Sequence, residues 1–85
     1  MAIAIAVRVR FFARLRELAG TETEDLKAAV NASVADVYAA MRANHPSLPE
    51  QSGVRGALNH EFVEWDHEVA DGDEIAFIPP VSGGT

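Results

Sequence analysis

The sequence predicts an α+β fold in which one main helix covers one face of a mixed sheet of four or five strands. Strand-like segments occur before and after a single long helical segment, an order that is typical of this class. The chain has 85 residues, of which 48% are apolar and 24% charged, so it can form one small domain with a packed core. We therefore expect one domain at residues 1–78, followed by an extended, flexible tail at residues 79–85.

The first segment, Met1 to Phe12, alternates with a period of two, which indicates a strand with one buried side. One face would carry Ile3, Ile5, Val7, Val9 and Phe11, and the other Ala4, Ala6, Arg8, Arg10 and Phe12. The last segment, Glu74 to Ile78, alternates in the same way, with Ile75 and Phe77 on one face. Because both segments are apolar on one side, we expect both strands to lie near the centre of the sheet.

Two helices are expected between these strands. Ala13 to Ala19 is helix-prone and ends at Gly20, a residue typical of helix C-caps. Ser33 is a suitable N-cap for the main helix, with Asp36 completing a capping box. Apolar residues then recur at helical spacing, and Pro46 ends this helix near Asn44 because it disfavours helical angles at the preceding residue. The residues with that spacing are Val34, Val37, Tyr38 and Met41.

The remaining segments are predicted from turn residues and short apolar runs. We expect a turn at Thr21 to Asp25, a strand at Leu26 to Val30 that pairs with the first strand, and a loop at residues 46–53. Strand-like runs follow at Val54 to Val63 and Trp65 to Val69, with turns near Asn59 to Glu61 and Asp66 to His67. Asp71-Gly72-Asp73 is a further turn signal.

Three large apolar residues fall on the side of the sheet that the helix should leave open. Phe12 shares a face with Arg8 and Arg10, Ile78 lies opposite the inward Phe77, and Phe62 follows a polar run. Exposed apolar patches commonly mark protein interfaces. We therefore expect Phe12, Phe62 and Ile78 to form a partner-binding patch.

The carboxyl-terminal residues have the composition of a thin arm. Pro79 and Pro80 end the last strand, because proline cannot donate to a β-ladder. Val81 and Ser82 lead to Gly83 and Gly84, which have no Cβ and would fit a narrow active site of another protein. From Ile78 to Gly84 an extended chain spans roughly 20 Å at most. We expect this arm to carry a carboxyl group into the active site of another protein, with Pro79 to Ser82 in contact with that partner.

Composition and charge disfavour several other classes of protein. The absence of cysteine excludes disulfides and thiolate zinc sites, and His45, His60 and His67 lack metal-ligand spacing, so we expect no metal site. The net charge of −6 disfavours nucleic-acid binding. No leader or membrane-length apolar run is present, which favours a cytoplasmic protein without a membrane partner. Tyr38 and Trp65 are expected in the core, and Glu61 and Glu64 in solvent.

Two motifs resemble those of the molybdopterin synthase small subunits, the MoaD family. Residues 10–20, RFFARLRELAG, resemble that family's opening, and residues 71–84, DGDEIAFIPPVSGG, resemble its ending. The segment Ala57-Leu58-Asn59, followed by Val63 and Asp66-His67, is similar to its strand-turn-strand segment. The thiamine-pathway sulfur carriers, ThiS, share the two glycines but lack this diproline run.

The resemblance implies a ubiquitin-like β-grasp fold, with the first and last strands adjacent and parallel, and a sulfur-carrier role. It implies that a MoeB-like adenylyltransferase uses ATP to activate Gly84, that sulfur replaces the adenylate as a thiocarboxylate, and that no cofactor is permanently bound. It further implies a MoaE-like large subunit that accepts Gly83 and Gly84 and in which cyclic pyranopterin monophosphate receives the sulfur. In the family the apolar contact face corresponds to Phe12, Phe62 and Ile78.

Thr85 departs from the family pattern, because it holds the Gly84 carboxyl in an amide bond. We therefore expect a peptidase to remove Thr85 before activation. Two other functions remain open from the sequence. One is a ubiquitin-like modifier joined to lysines through Gly84, and the other is a sulfur carrier for thiamine synthesis or tRNA thiolation. The chain is not expected to be catalytic alone, since it offers no catalytic group of its own.

Overall fold

The structure, a computed structural model, describes residues 4–79 and contains a five-stranded sheet with one main helix. The elements are β1 (Ala4–Phe11), α1 (Arg14–Ala19), β2 (Thr23–Ala29), α2 (Val34–Asn44), β3 (Arg55–Leu58), β4 (Glu61–Val63) and β5 (Glu74–Ile78), with a 3₁₀ turn at Gln51–Gly53. The strand order is β2-β1-β5-β3-β4. β1 and β5 pair in parallel and the other neighbours pair antiparallel. This is the β-grasp arrangement that the resemblance implies, with the first and last strands adjacent.

The core lies between the sheet and α2. Val7, Val9 and Phe11 of β1 are buried there with Ile75 and Phe77 of β5, as the alternation predicts. The four apolar residues of α2 that follow helical spacing are also buried. Ile3, which the alternation assigns to the same face, lies outside the described residues.

The predicted N-cap of α2 and the predicted C-cap of α1 are both confirmed. Ser33 Oγ accepts a hydrogen bond from the Asp36 amide at 3.1 Å, and Asp36 Oδ2 accepts one from the Ser33 amide at 2.9 Å, so the capping box is complete. Gly20 has a φ of 77° and donates its amide to the Arg16 carbonyl, which ends α1. A left-handed conformation of this kind favours glycine.

The predicted turn at Thr21 to Asp25 is wrong over its second half, because β2 already begins at Thr23. Its polar residues pair with β1, including Asp25 opposite Arg8, whose Nε lies 3.1 Å from the Asp25 carboxylate. Solvent-facing polar residues are compatible with an edge strand, so local polarity did not indicate a turn here. β2 ends at Ala29, and Val30 belongs to the following turn.

The predicted strand at Trp65 to Val69 is also wrong. Only Glu68 makes a bridge there, with Ser33. The segment instead packs against the start of α2: the carbonyls of Trp65 and His67 accept hydrogen bonds from the amides of Ala35 and Val34, each at 2.9 Å. The first amides of a helix have no partner within the helix, so this segment satisfies them.

Aromatic packing fixes the position of α2 on the sheet. The Tyr38 ring lies 4.7 Å from Phe77 and 5.6 Å from Trp65, measured between ring centroids. Tyr38 is buried as predicted, whereas Trp65 is only partly buried at the edge of the core. Glu61 and Glu64 are exposed, as expected.

Candidate functional site

The face of the sheet opposite α2 carries the candidate site. Ile78 is the last residue of β5, and its partner on β3 is Arg55. Ala57 of β3 lies opposite both Ala76 of β5 and Phe62 of β4. Residues that pair directly across strands point to the same face, so side chains from three strands meet on this surface.

Phe12, Phe62 and Ile78 surround one shallow cavity of about 190 Å³ on this face. Ala57, which is buried, and the partly buried Ala76 also line it. Phe12 is 39% exposed and Phe62 is 58% exposed, while Ile78 is partly buried. The structure thus brings together the three residues that the sequence placed on the open side, and we call Phe12, Phe62, Ile78, Ala57 and Ala76 the apolar patch.

Local backbone contacts position the phenylalanines. The Phe12 amide donates to the Phe77 carbonyl at 3.3 Å, which extends the pairing of β1 with β5 by one residue. Ala13 then turns the chain into α1 with a φ of 52°, a conformation that is uncommon for a residue other than glycine. Phe62 is presented by a tight hairpin in which Asn59 and His60 both have positive φ.

Each of the two phenylalanine rings of the apolar patch is covered by an arginine. The guanidinium carbon of Arg55 lies 4.3 Å from the Phe62 ring centroid, and that of Arg10 lies 5.2 Å from the Phe12 centroid. Guanidinium groups are attracted to aromatic faces, so these contacts restrain both rings while leaving them accessible. The sequence alone did not reveal these contacts, because they depend on cross-strand register.

The rim of the apolar patch carries both signs of charge. Glu74 lies between two basic groups, with Arg10 Nη1 3.5 Å from its Oε2 and His60 Nε2 3.9 Å from its Oε1. Arg55 makes no ion pair within residues 4–79. A partner that covers the apolar patch would therefore meet an available guanidinium on the β3 side of the rim.

The last described residue, Pro79, follows β5 directly beside the apolar patch. β5 is hydrogen-bonded to β1 on one side and to β3 on the other, so the chain leaves from the middle of the sheet. The predictions for the carboxyl-terminal residues lie outside the described residues; these residues are Pro80, Val81, Ser82, Gly83, Gly84 and Thr85. Of the extended tail expected at residues 79–85, only Pro79 is described.

The sequence matches the model of the ThiS family over residues 9–84. It is also 36% identical to the molybdopterin synthase sulfur carrier subunit of Escherichia coli over 80 residues, which cover 92% of this chain and 99% of that protein. The chain belongs to the MoaD/ThiS family. The resemblance drawn from residues 10–20 and 71–84 is thereby confirmed.

Solved structures agree with the MoaD/ThiS assignment. The crystal structure of SAMP1 from Haloferax volcanii has a TM-score of 0.83 and 31% identity, and the match covers 93% of this chain and 99% of that one. A chain in the complex of subunits 1 and 2 of the molybdopterin-converting factor from Helicobacter pylori also matches, with a TM-score of 0.69 and 26% identity. The match covers 94% of this chain and 100% of that one. These neighbours confirm the ubiquitin-like β-grasp fold.

Two further properties of this chain concern membrane spans and metal ligands within residues 4–79. None of its helices there is long and apolar enough to cross a membrane. Over the same residues, no group of three or more histidine, aspartate or glutamate side chains is arranged to hold a metal ion. His45 instead contacts Glu24, with Nε2 2.6 Å from Oε1, and His67 Nδ1 lies 2.9 Å from the Glu68 carbonyl.

Proposed function

We propose that this chain is the sulfur-carrier subunit of a molybdopterin synthase and that Gly84 carries the sulfur as a thiocarboxylate. The observation that carries the proposal is that the sequence Pro-Pro-Val-Ser-Gly-Gly follows directly in the chain after a central strand whose last residue, Ile78, lines an exposed apolar patch. The relatives named as molybdopterin synthase sulfur carrier subunits support the same role.

The proposed chemistry requires a terminal glycine carboxylate. A carboxylate is a poor electrophile, so its oxygen first attacks the α-phosphorus of ATP and releases pyrophosphate. A hydrosulfide-class nucleophile then attacks the acyl carbon and AMP leaves, which yields the thiocarboxylate. Gly83 and Gly84 admit these reactants because neither has a side chain. The partner proteins, an adenylyltransferase and a large subunit, supply the acids, bases and charge stabilisation.

Thr85 must be removed for this chemistry to occur at Gly84. Its amide bond to Gly84 leaves no free carboxylate at that glycine. We propose that a peptidase cleaves the Gly84–Thr85 bond before activation. Intact-mass measurement of the protein isolated from its native cells tests this step, and a thiocarboxylate on Thr85 would contradict it.

The apolar patch is the proposed contact surface for the large subunit. Full burial of an exposed phenylalanine contributes about 1.5–3 kcal/mol, and covering the 39% of Phe12 and the 58% of Phe62 that remain exposed would contribute about half of that for each. Arg55, which already covers Phe62, would add a cation at the edge of the contact. The Helicobacter pylori complex of subunits 1 and 2 supports a two-subunit assembly for this chain. This surface lies beside Pro79, so docking and delivery of Gly84 would use the same end of the molecule.

A charged residue in place of Phe62 tests the docking surface. We expect Phe62→Asp to weaken binding to a MoaE-like subunit at least about tenfold, since it removes an apolar contact and requires a charge to be desolvated. The matched control is Val30→Asp, because Val30 is 46% exposed but lies away from the apolar patch. Calorimetry measures the dissociation constant of each variant with the MoaE-like subunit. An equal loss of affinity in both variants would contradict the proposed contact surface.

A protein ending at Gly84 tests the carrier chemistry. Incubated with a MoeB-like enzyme, ATP and a sulfide source, it should gain the mass difference of one oxygen replaced by one sulfur. The protein ending at Thr85 is the control and should gain nothing. Failure of the Gly84 form to be adenylated or thiolated would reject the carrier function, irrespective of the docking result.

The similarity to small archaeal modifier protein 1 of Haloferax volcanii favours a second candidate function. The two proteins are 36% identical over 84 residues, and both the fold and the terminal glycines would serve a modifier joined to lysines. Immunoblots of native extract distinguish the two functions. A ladder of conjugates that disappears on deletion of Gly83 and Gly84 would favour the modifier, whereas thiocarboxylated free protein favours the carrier. Thiamine synthesis and tRNA thiolation remain alternative destinations for the sulfur.

A further inference from the structure

The strand β2 forms a long edge of the sheet on the side away from the apolar patch. It has seven residues and lies at the end of the order β2-β1-β5-β3-β4, so that among residues 4–79 it pairs only with β1. It contains neither proline nor glycine, the residues that commonly interrupt edge strands. Its outer side is therefore regular enough to accept another strand.

The pairing of β1 with β2 determines which backbone groups face outward. The Phe11 amide donates to the Glu22 carbonyl at 2.9 Å, which makes these two residues a hydrogen-bonded pair. Such pairs alternate along an antiparallel ladder, so Glu24, Leu26 and Ala28 bond inward. Asp25 and Lys27 consequently point their amides and carbonyls away from β1, and within residues 4–79 no turn or side chain occupies these groups.

The charges on β2 favour one antiparallel pairing between two copies. With Leu26 opposite Leu26 of the second copy, Asp25 faces Lys27 and Lys27 faces Asp25. Because side chains alternate between faces, the pairing of the two copies can shift only in steps that keep the same faces aligned. The smallest such shift brings Asp25 opposite Asp25 in one direction and Lys27 opposite Lys27 in the other. Opposite charges directly across a ladder stabilise it, whereas like charges destabilise it. Of these three registers, only the one with Leu26 opposite Leu26 pairs opposite charges.

The side chains on the α2 side of β2 fit the same register. Leu26 is partly buried and lines a groove of about 330 Å³ between β2 and α2. Ala28, Val37 and Ala40 contribute to this groove. In the proposed pairing the two Leu26 side chains meet at the two-fold axis in a non-hydrogen-bonded pair, where side chains approach most closely.

We propose that a second copy of this chain docks on β2 and forms an antiparallel dimer through Asp25, Leu26 and Lys27, with one continuous ten-stranded sheet. The pairing adds backbone hydrogen bonds at Asp25 and Lys27 and two intermolecular ion pairs. The apolar patch lies on β5, β3 and β4 and on Phe12, which follows β1. Because none of it lies on β2, the dimer leaves both patches and the carboxyl end of each β5 accessible. The dimer is independent of the sulfur-carrier proposal.

Charge variants of the full chain test this dimer by sedimentation equilibrium between about 10 μM and 1 mM. We expect Asp25→Lys and Lys27→Asp each to raise the dimer dissociation constant at least about tenfold, because each replaces two attractive pairs by two repulsive ones. Combining both substitutions in one chain restores opposite charges and should restore the dimer. An equimolar mixture of the two single variants should form a heterodimer for the same reason.

Amide hydrogen exchange gives a second measurement that does not depend on any variant. The Asp25 and Lys27 amides of the unmodified chain should become more protected as its concentration rises, whereas exposed amides outside β2 should not. The proposal is overturned if the chain stays monomeric at 1 mM, if the single variants dimerise as well as the original chain, or if an extended peptide from another protein protects these amides while a second copy does not. Circular dichroism melting confirms that each variant is folded.

Discussion

Tyr38 shows how one polar group is accommodated within an apolar core. Its ring is buried against Phe77, while its hydroxyl donates to the Pro49 carbonyl at 2.7 Å. Burial raises the pKa of Tyr38 above its usual value of 10, and the nearby positive charge of Arg42 partly offsets this increase. The neutral phenol is therefore the form that the folded protein favours.

This raised pKa predicts a specific dependence of stability on pH. The folded-state pKa exceeds the unfolded value near 10, so the stabilisation is fully present below about pH 10 and is lost as the pH rises through the folded pKa. We expect Tyr38→Phe to lower the free energy of unfolding by about 1 kcal/mol at pH 7, because it removes the hydrogen bond to Pro49.

Urea unfolding of both proteins between pH 7 and pH 11.5 measures the effect. The difference in unfolding free energy between them should narrow above about pH 10, as the original protein loses the contribution of its phenol. A difference that is constant across this range would show that Tyr38 titrates alike in the folded and unfolded states.

The residues of the apolar patch and of its rim differ in how far the sequence predicts their positions. Phe12 and Ile78 follow from the alternation of their strands, because that alternation fixes which face each side chain occupies. Arg55 does not, since its contact with the Phe62 ring depends on how β3 and β4 pair. To predict contacts between separate strands one must know their register, and the register cannot be read from the sequence of one strand alone.

At the scale of elements, the closeness of α2 to β3 depends on Gly56. A Cβ atom at this position would lie 2.9 Å from Val34 Cγ1 and 3.8 Å from Phe77 Cε1. Val34 begins α2 and is fully buried, so it has little room to move. The absence of a side chain at Gly56 lets the helix start pack directly on the strand.

We expect Gly56→Ala to destabilise the fold by about 1–3 kcal/mol through overpacking. Adding Val34→Ala removes the opposing Cγ1, so the double variant should be more stable than the sum of the two single effects predicts. Gly20→Asn is the control: no atom lies within 4 Å of a Cβ there, and asparagine tolerates the left-handed conformation. Chemical denaturation of the original chain, the two single variants, the double variant and Gly20→Asn measures these effects. Additive effects of the two substitutions would contradict a contact between positions 34 and 56.

The elements that the sequence misplaced share one physical cause. Polar residues from Thr23 to Asp25 form part of β2 because β1 offers a pairing partner that lies far away in the chain. The run from Trp65 to Val69 has strand-like composition, yet its carbonyls bond to the first turn of α2. In both segments a long-range backbone partner outweighs the local preference. Helix α2, whose caps and apolar spacing are local, was predicted correctly.

At the scale of the whole molecule, the core is already formed by residues that precede the last two glycines in the chain. Every buried apolar residue of the described chain lies between Val7 and Phe77. We therefore expect deletion of residues 83–85 to leave the melting temperature almost unchanged while abolishing sulfur acceptance. Differential scanning calorimetry and a thiocarboxylation assay measure these two effects.

A deletion of residues 80–85 extends this test to the predicted boundary at residue 78. Its melting temperature should also remain close to that of the full chain. A large decrease for either deletion would mean that the terminal residues contribute to the core, which would contradict the division into a domain at residues 1–78 and a tail at residues 79–85.

Parallel pairing of β1 with β5 also determines how the molecule bears mechanical load. When a partner pulls on Pro79 against the amino end of β1, the two strands are drawn along each other, and their hydrogen bonds are strained together in shear. The bonds between β5 and β3 resist the same displacement. A force applied to the carboxyl end is thus distributed over both neighbours of β5. An unfolding enzyme that pulls on this end must therefore break the pairing of β5 with β1 and with β3 first.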